Sequence, residues 1–458
     1  MGDQDHGTGG AGRRKLSLAD ATLLVMGGIV GVGIFFTPRD VAALVPVPWL
    51  FLTMWILGAG IALCGAATFA ELGGTFPRSG GWFEFLREIY GPFVAFLFAW
   101  MILGVVSTGA IAVIASFGAG TLVGLLPGLA GPWSEPALGA AIILVLTGIT
   151  LGGIKLGATF QNLCMLTKLV AIAALVVAGL VFFSPGVPAA EPPPPVAVPE
   201  SLWAGAIAAT LPVLFSFGGW QQVCYVAGEV EEPSRNVPRA ILLGVVGVAV
   251  TYLLVNAAYL RVLGTDGLAA DPGFAAEVAR LSLGERGERA LRAAMAVSAI
   301  GVCAVNIIVT PGIYVGMARS GLFFKSFGRL HARTGAPVLA LCTQAALALA
   351  YLGWSHAGSE TMDTDTLTGS VVFAEWIFHG LVALGLMLLR ARRPELPRPY
   401  RSLAYPLAPA LYLVTATLVV FGNLWASPFA RTGIGLGVLL AGALVYRPWR
   451  AYLGAREP

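Results

Sequence analysis

Gly27-Gly28-Ile29-Val30-Gly31-Val32-Gly33-Ile34-Phe35 places four glycines within seven residues of an apolar run. Each interior glycine weakens a helix by about 1 kcal/mol relative to alanine, so the cluster predicts a helix that stops and restarts. A second interruption, Phe215-Ser216-Phe217-Gly218-Gly219-Trp220, follows Pro212 in another apolar run. Irregular backbone inside a bilayer is tolerated only where it is buried in protein or lines a cavity. Its chemistry is that of free main-chain groups. Half-helix N-termini offer N–H groups and a positive dipole end to an anion such as a carboxylate. Half-helix C-termini offer carbonyls to an ammonium. A zwitterion suits that pair of ends better than a neutral sugar does. The plainer alternative is that these glycines serve close helix packing alone, the reading favoured for an isolated pair such as Gly118 and Gly120. The two clusters differ from such a pair because they match each other in position, and this favours a binding site.

Lys168 is the second feature with chemistry. It lies inside the apolar stretch Gln161-Asn162-Leu163-Cys164-Met165-Leu166-Thr167-Lys168-Leu169. A charged side chain at the bilayer centre costs at least about 2.5–3.5 kcal/mol, which makes it a functional candidate by default. A lysine snorkelling toward a nearby span end is the alternative. A buried ammonium can also give up its proton, which would make proton coupling available. Glu71, Glu229, Asn306 and Glu375 are weaker candidates. Glu71 and Glu229 lie near span ends, where gating or loop anchoring is expected as much as transport. His379 stands one turn after Glu375 and could pair with it.

Other chemistries find little support. The five cysteines, Cys64, Cys164, Cys224, Cys303 and Cys342, are scattered singly in apolar runs, with no Cys-x-x-Cys pair. That pattern fits small core residues rather than a zinc or redox site. The four histidines, His6, His331, His356 and His379, show no metal-ligand spacing, and no catalytic constellation is visible. No metal, cofactor or enzymatic activity is therefore expected. The net charge of +4 does not point to nucleic acid, because the basic residues gather at span ends rather than on one face.

The elements that would position these groups are membrane spans. Of 458 residues, 57% are hydrophobic and 11% charged, where a soluble domain needs roughly a quarter charged. A mean hydropathy of +0.81 agrees that lipid is the main solvent. At about 20 apolar residues per crossing, the chain accommodates about a dozen spans. Their expected positions are 17–44, 48–72, 91–121, 136–155, 160–184, 201–228, 238–262, 288–319, 337–355, 367–389, 403–424 and 432–448. Most of the 28 basic residues fall in alternate connections, including Arg13-Arg14-Lys15, Arg235 and Arg239, Arg319 to Arg333, and Arg390 to Arg401. By the positive-inside rule those connections and both termini face the cytoplasm, with tails at 1–16 and 449–458. Arg13-Arg14-Lys15 could mimic a twin-arginine signal, but it reads better as the basic flank of the first span. The mixed-charge segment 264–292 is expected as a short surface helix on the opposite side. The two breaks fall in the first and sixth spans, so the second set of five spans starts from the other side of the membrane.

These residues resemble the amino acid–polyamine–organocation transporter superfamily, and within it the L-type amino acid transporters and their bacterial relatives. Gly31-Val32-Gly33-Ile34-Phe35 is similar to the family's Gly-Ser-Gly-Ile-Phe at the first break. Phe217-Gly218-Gly219-Trp220-Gln221 resembles its aromatic-Gly-Gly-Trp-Asn at the second. Gly228 to Ile241, with Pro233-Ser234-Arg235-Asn236-Val237-Pro238-Arg239-Ala240, is similar to the acidic Pro-x-Arg-Asn-x-Pro-Arg-Ala-Ile segment that follows. Glu71-Leu72 with Phe76 to Gly81, Arg319 to Gly335, and Leu396 to Arg401 match three further loops, so the likeness covers nearly the whole chain.

The resemblance implies an all-α integral membrane fold of 12 transmembrane helices. Two inverted five-helix repeats would occupy 17–184 and 201–389, and helices eleven and twelve 403–448, with helices one and six broken. It implies substrate bound at Ile29, Gly31, Val32, Gly33, Phe215, Ser216, Phe217, Gly218, Gly219 and Trp220. Main-chain groups of Gly31, Val32 and Gly33 would receive a carboxylate. Carbonyls near Ile29, Phe215 and Gly218 would receive an amino group. Phe215 and Gln221 take gating positions, and Lys168 the place of sodium in sodium-coupled members, bonding the broken first helix. Val32 departs from the family's hydroxyl residue, which leaves room for a substrate without an ordinary α-carboxylate. The connection 122–135 has no cysteine, so no disulfide-linked heavy subunit is expected. The spans around the breaks show no acidic residue chosen for a cationic side chain. The expected function is exchange or proton-coupled symport of neutral L-amino acids by alternating access across the cell membrane. An amine or polyamine transporter is the alternative, and an amino acid sensor a more distant one.

Overall fold

The computed structural model describes residues 15–31, 33–129, 131, 133–183, 201–271, 273–356, 364–426 and 429–454. These residues are helical throughout, and their one β-type pairing is an isolated parallel bridge between Leu16 and Val230. In lipid a helix satisfies its own backbone, which is why an apolar chain of this kind folds into helices.

The first crossing is divided. Helix α1 (Leu18–Ile29) begins at a capping box in which the Ser17 side chain accepts from the Asp20 N–H and the Asp20 side chain accepts from the Ser17 N–H. It ends at the glycine cluster, and a single 3₁₀ turn, Gly33–Phe35, leads into α2 (Thr37–Leu44). Then come α3 (Pro48–Thr75), the short α4 (Trp82–Tyr90) and α5 (Pro92–Met101). A π turn at Ile102–Val106 joins α5 to α6 (Ser107–Leu125). Helices α7 (Ser134–Leu151) and α8 (Ile154–Val177) follow.

The second divided crossing is α9 (Leu202–Ser216), carrying Pro212, followed by 3₁₀ turns over Trp220–Glu229. Next are α10 (Pro233–Ala270), α11 (Phe274–Val309) and α12 (Pro311–Arg319). The chain continues through α13 (Val338–His356), α14 (Thr364–Arg392), α15 (Leu407–Ala426) and α16 (Phe429–Gly454). Pro48, Pro92, Pro233 and Pro311 each open a helix, where a missing N–H has no cost.

Among the described residues, ten helical stretches are long and apolar enough to cross a membrane. The first expected span is not one of them, because its break leaves pieces of 12 and 8 residues. The twelfth expected span is not among them either. The segment 264–292 departs from the expected single surface helix. Gly264 (φ 66°) and Gly284 (φ 74°) break α10 and α11, and the pieces between them bury Leu268, Phe274, Val278 and Ala279. They cap the end of α2: the Arg39 Nε donates to the Ala269 carbonyl at 3.2 Å, and Thr265 donates to that of Pro46 at 3.2 Å.

Candidate functional site

The two glycine clusters meet. Gly28 and Gly219 pack backbone to backbone, and a Cβ on Gly219 would collide with the Gly28 carbonyl. Gly219 also has φ 109°, a conformation in which any side chain is strained. Sequence and fold therefore agree on why glycine stands at the crossing of the two breaks.

The carbonyls released by the first break are held by side chains from three other helices. The Lys168 ammonium on α8, fully buried, donates to the Val30 carbonyl and lies 3.5 Å from that of Gly27. The Tyr252 hydroxyl on α10 is 3.0 Å from the Ile29 carbonyl and 3.1 Å from the Ser216 carbonyl, so one hydroxyl hydrogen is shared between both breaks. Ser298 on α11 donates to the Gly31 carbonyl at 3.2 Å. A buried peptide group without a partner costs about 1–3 kcal/mol, and these three donors remove that penalty.

Beside the breaks lies a cavity of about 200 Å³. Ile29, Gly31, Gly33, Phe215, Ser216, Phe217, Gly218, Gly219, Trp220 and Gln221 all line it, so the candidate residues at the two breaks share one space. Val32 lies outside the described residues. Of the three expected ammonium acceptors, the Ile29 carbonyl accepts from the Tyr252 hydroxyl at 3.0 Å and the Gly31 N–H at 2.7 Å, and that of Phe215 accepts from the Gly218 N–H at 3.2 Å. Phe215 is 40% exposed and meets Phe36, which in turn meets Phe117, at centroid distances of 6.4 and 6.5 Å. Phe117 also lines a second cavity, together with Phe35, Ser116, Glu135 and Arg292.

One correction comes from the cavity wall. The expectation that no acidic residue stands near the breaks fails, because Glu375 on α14 lines the same cavity. Its Oε1 accepts from the Gln221 amide at 2.8 Å, and the Gln221 oxygen accepts from the Gly219 N–H at 3.1 Å. The expected pairing of His379 with Glu375 is present at 3.8 Å, and the far nitrogen of His379 bonds Tyr412 on α15 at 2.5 Å. Asn306 lines the cavity too, accepting from Gln222 at 3.2 Å.

Glu71 and Glu229 take other places. Glu71, fully buried, accepts from Arg390 at 2.8 and 2.5 Å and from the Ser402 N–H at 2.7 Å, and anchors the loop after α14. The Glu229 carbonyl accepts from the Leu16 N–H at 2.8 Å, beside the Leu16–Val230 bridge. Tyr252, Ser298, Gln222 and Tyr412 escaped the sequence reading. Each is an uncharged polar residue in an apolar run, and only its neighbours across the bundle distinguish it.

A membrane bundle with two facing helix breaks beside one cavity defines a transporter-type site. The whole-chain comparison gives the family: the amino acid permease model matches residues 16–443, and this protein belongs to that family. It is 30% identical over 466 residues to the human large neutral amino acids transporter small subunit 2, covering 96% of this chain and 82% of that one. It is 28% identical over 447 residues to the human cystine/glutamate transporter, covering 95% and 85%. Against the mouse Asc-type amino acid transporter 1 it is 27% identical over 440 residues, covering 95% and 81%. The protein is thus a multi-pass membrane transporter of amino acids, not an enzyme.

Proposed function

We propose that this protein is a secondary active transporter of L-amino acids, working by alternating access as an exchanger or a proton-coupled symporter. The observation that carries the reading is the contact of Gly28 with Gly219 beside a cavity of about 200 Å³. In this reading α1 with α2, and α9 with the turns after it, are the first and sixth of 12 crossings. Two inverted repeats at 17–184 and 201–389 precede a final helix pair at 403–448. The termini and basic loops face the cytoplasm, and the membrane is the cell membrane.

The substrate carboxylate meets the N–H groups of 31–33, and its ammonium the carbonyls of Ile29, Phe215 and Gly218. Ile61, Ile102, Val106, Val113 and Ile114 make the facing wall apolar, which suits a neutral side chain. Relatives named for large neutral amino acids support the same choice. Lys168 holds the broken helix where a coupling cation would otherwise sit, so transport runs without sodium. The connection 122–135 offers no cysteine for a disulfide-linked partner. Glu375 in the wall favours a second reading, an amine or polyamine transporter of the same fold.

The test uses purified protein in liposomes with labelled leucine, and alanine, ethanolamine and putrescine as competitors. Leucine uptake that rises when the vesicles are preloaded with alanine supports exchange; uptake driven by a pH gradient supports symport. Preference for putrescine over leucine would overturn the amino acid assignment.

A further inference from the structure

One group of polar side chains in the cavity wall is joined into a chain. Glu375, His379, Tyr412 and Gln221 form a chain of contacts from the unwound backbone at Gly219 to α15. Trp220, Trp376 and Tyr412 surround His379, with ring centroids 5.9, 5.0 and 5.6 Å away. All of these residues line the cavity.

The charge in this cluster is lopsided. Among the described residues, His379 is the one basic side chain within 4.0 Å of Glu375, at 3.8 Å, too far for a hydrogen bond. Its other ring nitrogen, Nδ1, is engaged by the Tyr412 hydroxyl at 2.5 Å. Gln221 contributes a neutral amide donor at 2.8 Å. The cluster thus gives the carboxylate no lysine or arginine partner among the described residues. The Glu375 side chain is 27% exposed, and the space it faces is the cavity. Trp220, Trp376 and Tyr412 line the same cavity as the carboxylate, and a carboxylate and aromatic rings that open on one space are chemistry that binds a cation.

Position adds the length of the ligand. Glu375 is two hydrogen bonds, of 3.1 and 2.8 Å, and one amide group away from the Gly219 N–H. A substrate whose α-groups sit at the breaks would meet Glu375 across the shared cavity with the end of an extended side chain.

We propose that Glu375 is a specificity-determining residue that admits amino acids with a cationic side-chain terminus, such as lysine or ornithine, alongside neutral ones. This rests on the amino acid reading given above and extends its substrate class. The ammonium end lies among Trp220, Trp376 and Tyr412 against the free side of the carboxylate, while Gln221 keeps the carboxylate aligned with the broken helix.

Three ligands of matched length separate the possibilities: lysine, norleucine, which lacks the terminal ammonium, and cadaverine, which lacks the carboxylate. Each is offered to the purified full chain in liposomes. The wild type is expected to carry both lysine and norleucine, and Glu375→Gln to lower the lysine-to-norleucine uptake ratio at least tenfold. Glu375→Asp, which keeps the charge but withdraws it by one methylene, should lower the ratio less. Norleucine uptake without lysine uptake overturns this proposal and leaves the amino acid transporter standing. A ratio within twofold of wild type in Glu375→Gln, or in Glu375→Ala where the first does not fold, overturns it as well. Cadaverine uptake with neither amino acid carried overturns both readings.

Discussion

Lys168 and Tyr252 do related work from different helices, and their substitutions should fail in different ways. Lys168 is fully buried and gives its charge-assisted bond to Val30, where the first helix has lost its own donors. Replacing it with alanine leaves that carbonyl bare and opens a void, which would loosen the break that shapes the cavity. Lys168→Ala should therefore cut leucine uptake at least tenfold at equal protein, and an imposed sodium gradient should not restore it. Wild-type rates in that variant would remove the coupling role. Tyr252→Phe is subtler, since it deletes only the hydroxyl shared by the Ile29 and Ser216 carbonyls. The ring contacts with Trp55 at 5.8 Å and Phe217 at 5.1 Å remain. The Ser216 carbonyl then loses its donor, at about 1–3 kcal/mol, and that of Ile29 keeps only the Gly31 N–H at 2.7 Å. Thermal unfolding in detergent should register this as a lowered midpoint, with weaker substrate binding because both breaks lose a common tie.

The broken helices are where the sequence was most informative, because glycine in an apolar run conflicts with the helix around it. Gly219→Ala tests that element directly. Its φ of 109° and its collision with the Gly28 carbonyl both oppose a side chain, so the two breaks must part and uptake should be lost. Gly60→Ala on α3 is the control: a Cβ there meets nothing within 4 Å, and alanine favours the helix by about 1 kcal/mol, so uptake should persist. Equal loss in both variants would show that the crossing of the breaks is not special. Most other elements were also legible, since a span announces itself by length and apolarity. The facing of each span was not. Helices apolar on every side carry no period that marks the face turned to the cavity. For that reason Glu375 read as remote from the breaks although it lines their cavity, and Tyr252 and Ser298 passed unnoticed. Segment 264–292 misled for a related reason: its charges announced a surface, while Leu268, Phe274 and Val278 supply a buried face that no long apolar run displays.

At the scale of the molecule, the two ends of the cavity are closed by unequal means. On the side of Phe215, the contacts are those of Phe36 with Phe215 and Phe117, aromatic rings that can part by rotating side chains. The basic end is tied through backbone and charge. Leu16 pairs with Glu229 and Glu231, the Gly80 N–H donates to the Tyr225 carbonyl at 2.9 Å, and Arg390 clasps Glu71. Asp20 at the start of α1 binds Lys155 at the start of α8 and accepts from Asn162 at 2.9 Å. If the protein works by the alternating access proposed above, this end must open, and each tie then lowers the population of the state open there. The Asp20–Lys155 pair is a third exposed on the lysine side, which limits its worth to about 1 kcal/mol. That corresponds to roughly fivefold in the ratio of closed to open molecules. Native Cys224 reports the change: it is buried within the Trp220–Glu229 turns, packed beside Gly73 and Gly81. In protein whose other four cysteines are replaced by alanine or serine, Asp20→Asn should speed alkylation of Cys224 about fivefold, as the ion-pair estimate gives. Asp20→Lys combined with Lys155→Asp, which restores the pair with its charges exchanged, should bring the rate back toward that of the parent. An alkylation rate indifferent to all three changes would mean that the basic end opens without parting α1 from α8, and the ties there would then be structural anchors rather than a gate.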